Sequence, residues 1–141
     1  MTGLLVNLDV DDVERAADFY TRAFGLRIGR RFGDDFVELV GAPVPLYLLK
    51  QPAGSRPFAD ASMERGYARH WTPVHLDFVV DDIEAATARA VAAGALLERP
   101  PTREPYGWLA VLSDPFGHGF CFLQFTGRGY DEITEPGASG S

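Results

Sequence analysis

The chain has one cysteine, Cys121, so it has no internal disulfide and suits a reducing cytoplasm. It has no apolar run approaching the roughly 20 residues needed to cross a bilayer, so no membrane partner is expected. The opening MTGLLVNLDV has no basic region ahead of a long apolar core, and no secretory leader is expected. Positive charge is also short. Thirteen Lys and Arg stand against 20 Asp and Glu, a formal net charge of −7, and no basic cluster stands out. A polyanion would find no electrostatic footprint, which argues against nucleic acid and anionic lipid. What is present is 141 residues, 46% of them hydrophobic, enough for one compact domain or two small modules sharing a core.

A repeat organises those residues. Leu4, Val6, Leu8 and Val10 alternate with Leu5, Asn7 and Asp9, the period of a strand with one packed face. Asp11 or Asp12 then offers a helix N-cap, and Asp11-x-x-Glu14 matches a capping box. Val13, Ala16, Ala17, Tyr20 and Phe24 follow at helical spacing, and Gly25 sits where a helix-terminating glycine belongs. Strands are predicted over Arg27–Phe32, Phe36–Val40 and Val44–Lys50. Seventy positions on, the plan recurs: alternation through Thr72, Val74, Leu76, Phe78 and Val80, a second Asp81-x-x-Glu84, and an alanine-rich helix ending at Gly94. Strands are predicted over Leu96–Arg99, Trp108–Ser113 and Gly119–Phe125, with the tight turn Asp114-Pro115-Phe116-Gly117 between the last two.

The expected organisation is therefore a first βαβββ module over 1–50, a linker over 51–70 with one helical turn near Ser62–Tyr67, a second module over 71–125, and a flexible tail over 126–141. The class is α+β, with one face of each sheet covered by its helix and the other free to form a concave surface.

Tandem βαβββ modules in a chain of this size resemble the vicinal oxygen chelate superfamily of glyoxalase I, bleomycin-resistance proteins and extradiol dioxygenases. The matching residues are Val10-x-Asp12, Arg15-Ala16, Phe19-Tyr20 and Phe24-Gly25-Leu26, then His75-x-x-Phe78-x-Val80-x-Asp82 and Asp114-Pro115-x-Gly117. The resemblance implies curved mixed sheets around a concave ligand cavity, helices on the outer face, and a homodimer. Metal-dependent members place a His on the first strand, seven residues before the cap Asp, and a Glu on the last strand, seven after the Asp of the turn. Here those positions read Leu5, Tyr47, His75 and Cys121. A catalytic metal needs about three protein donors and open positions, and only His75 matches the pattern. No metal or other cofactor is expected. An alignment with a two-residue insertion sets Asn7 opposite His75, and Glu38 is a further potential donor.

The expected ligand-binding residues are Asn7, Glu38, Tyr47, Trp71, His75, Asp77, Trp108 and Cys121, with His75 the best catalytic candidate. Two readings stand side by side: a binding protein for a small organic molecule held between paired modules, and a lyase, isomerase or dioxygenase with a nonstandard divalent-metal site using His75. For Trp108, core packing is an equal alternative, and for Cys121 a small buried apolar role.

Overall fold

A computed structural model describes residues 1–135. The first module runs β1 (Val6–Val10), α1 (Val13–Phe24), β2 (Arg27–Arg31), β3 (Phe36–Val40) and β4 (Leu46–Lys50). The second runs β5 (Leu76–Val79), α2 (Ile83–Ala93), β6 (Leu96–Glu104), β7 (Gly107–Ser113) and β8 (Gly119–Phe125). Each module folds into a four-stranded mixed sheet, ordered β1-β4-β3-β2 and β5-β8-β7-β6. In each, the first strand lies parallel to the last and the remaining pairs are antiparallel. The tandem α+β architecture is the one the repeat implied.

The helices start one residue later than the capping-box pattern suggested. Asp12 accepts from Arg15 N at 3.0 Å and Asp82 from Ala85 N at 3.1 Å, so the second aspartate of each pair is the cap. Glu14 is left outside any capping box and pairs with Arg31 at 2.6 Å. Gly25 closes α1 at φ 68°, a left-handed conformation costly for residues with a Cβ.

Each helix covers one face of its own sheet, and α1 and α2 also pack on each other. One core results, with side chains from both modules: Phe19 and Leu48 from the first, Phe116 and Phe122 from the second. Phe24, near the end of α1, stacks on Phe78 with centroids 4.2 Å apart and meets Phe120 at 5.2 Å. Burying one such ring contributes roughly 1.5–3 kcal/mol, and well-placed aromatic pairs add about 0.5–1.5 kcal/mol.

One polar cluster crosses the same boundary. Asp114, 2% exposed, accepts a short hydrogen bond from the Tyr20 hydroxyl of α1. It also accepts from Phe116 N at 2.8 Å, His118 N at 2.9 Å and His118 Nδ1 at 2.8 Å. Burial by itself would raise this carboxyl. The bonds from His118 and Tyr20 outweigh burial and hold its pKa below the ordinary value, so the charged form is the one the fold keeps.

The segment between the modules has no helical turn. It is nonetheless tied down: Gly54 N donates to Arg65 O and Arg65 N to Ser55 O, Arg65 pairs with Asp9 at 2.8 Å, and the Tyr67 hydroxyl donates to Gln51 O at 2.6 Å. β1 and β5 each begin later than the alternation from Leu4 and Thr72 suggested, at the equivalent positions Val6 and Leu76. β6 extends to Glu104 through two register shifts. The expected flexible tail opens with a 3-10 helix, Gly129–Ile133, whose Tyr130 packs on Phe125 and Tyr106; residues 136–141 lie outside the described residues.

Tyr20→Phe removes one donor from a buried carboxylate and should cost about 1–3 kcal/mol in urea denaturation. A loss under about 0.5 kcal/mol would show that Asp114 does not depend on the inter-module bond.

Candidate functional site

Strand parity separates the side chains into two sets. Val6, Leu8, Val10, Leu46 and Leu48 belong to the helix-facing core, and so do Leu76, Phe78, Phe120 and Phe122. The alternating positions, Asn7, Asp9, Glu38 and Tyr47 in module one and Asp77 and Cys121 in module two, therefore occupy the open faces. Register makes the modules directly comparable. Asn7 is the partner of Tyr47 across β1 and β4, as Asp77 is of Cys121 across β5 and β8. Asn7 thus corresponds to Asp77, and Leu5 to His75; the alignment without an insertion is the one the strands adopt.

In module two, His75, Asp77 and Cys121 come together. Their ligand-type atoms lie within 4.8 Å of one another, and His75 Nδ1 is 3.2 Å from Asp77 Oδ1. His75 and Cys121 border a recess of about 160 Å³ walled by Arg69, Trp71, Val111 and Phe120. Trp71 is 80% exposed, a large area of indole held in solvent beside the recess. Arg69 is held by Glu98 through Nε at 2.6 Å and Nη2 at 3.1 Å. Burial, and then the Asp77 carboxylate, push the Cys121 thiol up to about 11. At neutral pH this sulfur is a thiol, which disfavours a nucleophilic role.

In module one the corresponding face is closed by its own contacts. Glu38, 7% exposed, accepts from Arg30 Nε at 3.0 Å, Arg30 Nη2 at 2.6 Å, Arg30 N at 3.1 Å and the Tyr47 hydroxyl at 2.8 Å. The Arg30 side-chain bonds come first, and with Tyr47 they lower the Glu38 carboxyl to about 2 despite burial. Sequence reading found Glu38 and Tyr47 but missed Arg30, whose guanidinium also lies 5.3 Å from the centre of the Phe32 ring.

Trp108 is not with the others. It shares parity with Ala110 and Leu112 and packs against the core, with Arg103 over its ring at 5.7 Å. Asn7 lines a larger cleft of about 530 Å³ along β1, which also takes in Trp71, His70 and His118. His70 and His118 were not singled out from sequence. The signal was available for His118, which follows the Asp114 turn at i+4.

The metal pattern of the resembled superfamily is not met by its four positions. Leu5 has no donor, and the Tyr47 hydroxyl is committed to Glu38. The three donors of module two, nitrogen, oxygen and sulfur, are a set that a borderline ion such as zinc accepts.

Two open-faced βαβββ modules on a shared core define a glyoxalase-fold protein. The family model for the glyoxalase-like domain matches residues 5–123, and the chain belongs to that family, within the vicinal oxygen chelate superfamily. It is similar to the uncharacterized protein Mb0911c of Mycobacterium bovis, with 32% identity over 135 residues, 84% of this chain and 80% of that one. It is also similar to the anthracycline biosynthesis protein DauV of Streptomyces sp. strain C5, 32% identical over 123 residues; that match covers 84% of this chain and 40% of DauV. Among solved structures, TnmS3, an antibiotic binding protein from Streptomyces sp. CB03234, matches with a TM-score of 0.63 and 25% identity, over 89% of this chain and 97% of TnmS3.

Two measurements follow from these side chains. Iodoacetamide should alkylate Cys121 at pH 7.5 far more slowly than a free thiol, and Asp77→Asn should speed it severalfold by removing a charge that disfavours thiolate. A rate equal to that of a free thiol, or indifferent to Asp77, would contradict this placement. For Glu38 the folded pKa lies below the ordinary 4.5, so its contribution to stability is present above pH 4.5 and is lost as pH falls toward about 2. Glu38→Gln should therefore be less stable than the parent at pH 6, with the gap narrowing as pH drops from 4.5 to 2 in urea titrations. A pH-independent gap would contradict the assigned shift.

Proposed function

We propose that the chain binds a small organic molecule on the open face of module two, without the standard metal set, and that two copies pair to complete the cavity. The grouping of His75, Asp77 and Cys121 beside an exposed Trp71 carries this reading. The recess measures about 160 Å³, well below the ~300–1,000 Å³ that encloses a drug-sized ligand. A second wall is required, and the open face of a partner's module one would supply it, consistent with a homodimer. Similarity to an antibiotic binding protein and to an anthracycline biosynthesis protein supports a planar organic ligand. The net charge of −7 favours a neutral or cationic one. Among the described residues no helix is long and apolar enough to cross a membrane; the proposed cytoplasmic location rests on the single cysteine, which suits a reducing compartment.

A second reading, a lyase, isomerase or dioxygenase with a nonstandard metal site, is favoured by one observation: three donors of different kinds within 4.8 Å. When bound, a divalent ion would supply Lewis acidity there, and His75, Asp77 and Cys121 would hold it; the raised thiol pKa means Cys121 would release a proton on binding.

A thermal-shift screen of planar aromatic compounds, run with and without EDTA, separates the readings. The binding account expects a saturable rise in Tm that EDTA leaves unchanged and His75→Ala abolishes, together with a dimer in sedimentation equilibrium. Stoichiometric metal, loss of binding in EDTA, or a Co²⁺–thiolate absorption band that Cys121→Ser removes would favour the metal reading instead. A monomer in sedimentation would overturn the two-copy cavity.

A further inference from the structure

We propose that the cleft along β1 is a second binding site, adjoining the recess over Cys121 at Trp71 and Thr72, and that it takes a hydroxylated aromatic compound. This does not rest on the function assigned to the His75 face. The cleft encloses about 530 Å³, inside the range that buries a drug-sized ligand. Its upper walls are apolar and held in solvent: Val74 is 77% exposed, Met63 60%, and Trp71 presents its indole to both cleft and recess. Leu8 and Leu76 continue this lining inward.

The inner end is polar and offers acceptors. His118 Nδ1 lies 2.8 Å from Asp114, and an ionised carboxylate can only accept, so Nδ1 carries the hydrogen. In the neutral ring, Nε2 is then a lone pair with its direction fixed by the buried carboxylate. The ring of His70 stands against it, centroids 4.8 Å apart and planes at 88°. Burial, and then the neighbouring His118 ring, lower the His70 pKa; a hydrogen bond to the Phe116 backbone and the Asp114 charge act the other way, and Arg69 adds to the lowering. The lowered pKa keeps the His70 ring neutral at pH 7. The Asn7 carboxamide makes no hydrogen bond among the described residues and adds a further acceptor and donors on the β1 side.

The charged groups narrow the ligand class. Arg65 is spent on Asp9 at 2.8 Å, on Ser55 Oγ and on Arg56 O. Among the described residues no free cation faces the cleft to hold a carboxylate or phosphate, and Glu64 at the lining would repel either. A neutral donor on a flat apolar body fits instead: the hydroxyl of a phenol donating to His118 Nε2, its ring against Trp71 and Val74.

Isothermal titration calorimetry with 2-naphthol and 2-methoxynaphthalene tests the assignment, because the ether keeps the ring and lacks the donor. Naphthol should bind about tenfold or more tightly than the ether. His118→Asn keeps a donor for Asp114 but has no acceptor at the Nε2 position, and should level the two affinities; His75→Ala should leave the preference intact. In the unaltered chain, naphthol and not the ether should move the ¹⁵N resonance of His118 Nε2, a readout that stands even if the variant fails to fold. Equal affinities, an unmoved His118 resonance, a preference that survives His118→Asn, or one lost in His75→Ala would each overturn the proposal.

Discussion

The buried carboxylate of Asp114 is the constraint from which most of the architecture follows. A charge this deeply buried survives only if its oxygens are fully occupied. Its partners come from three places: its own turn, the following His118, and Tyr20 on the helix of the other module. Satisfying one side chain therefore fixes the β7–β8 turn and docks α1 on module two. The aromatic contacts of Phe24 with Phe78 and Phe120 lie across the same boundary and supply the apolar part of the attachment. Direction comes from the hydrogen bonds, and most of the energy from burial.

Because both helices are committed to one core, the opposite face of each sheet is left for other work. The two faces use matched register positions differently. In module one, Tyr47 and Glu38 are consumed by Arg30, leaving a self-satisfied and rigid surface. In module two Cys121 stands at the place of Tyr47, Val111 at that of Glu38 and Asp77 at that of Asn7, with His75 alongside, and the nearby arginine, Arg69, is drawn off by Glu98. The duplicated fold thus gives one structural face and one with unspent chemistry. The His70–His118 pair, placed by the same Asp114 that joins the modules, lines a cleft at the junction itself.

The parts of this structure legible in the sequence are those set by local periodicity. Alternation through Val6, Leu8 and Val10, the helical stripe from Val13 to Phe24, and Gly25 are each decided within a few residues, and the repeat confirmed them against each other. Parity could also have placed Trp108 in the core, since Ala110 and Leu112 share its face. The first cap stayed open between Asp11 and Asp12, and the capping boxes drawn from Asp11 and Asp81 fell one residue early, because each helix start offers two adjacent aspartates and only geometry chooses between them. The site was less legible. Arg30 reaches Glu38 across a hairpin, and Tyr20 reaches Asp114 over 94 positions; no periodicity records such a pairing. His75, Asp77 and Cys121 could each be named from the sequence, but their grouping within 4.8 Å and the protonated state of the thiol follow only from the packed sheet.

Native-state hydrogen exchange across a denaturant series tests the central claim that the two modules form one cooperative unit about Asp114. The amides of Leu48 on β4 and Phe122 on β8, central strands of the two sheets, should open with the same free energy and the same denaturant dependence. If Phe122 stays protected while Leu48 exchanges through a separate, lower-energy opening, the modules are independent and the account is wrong.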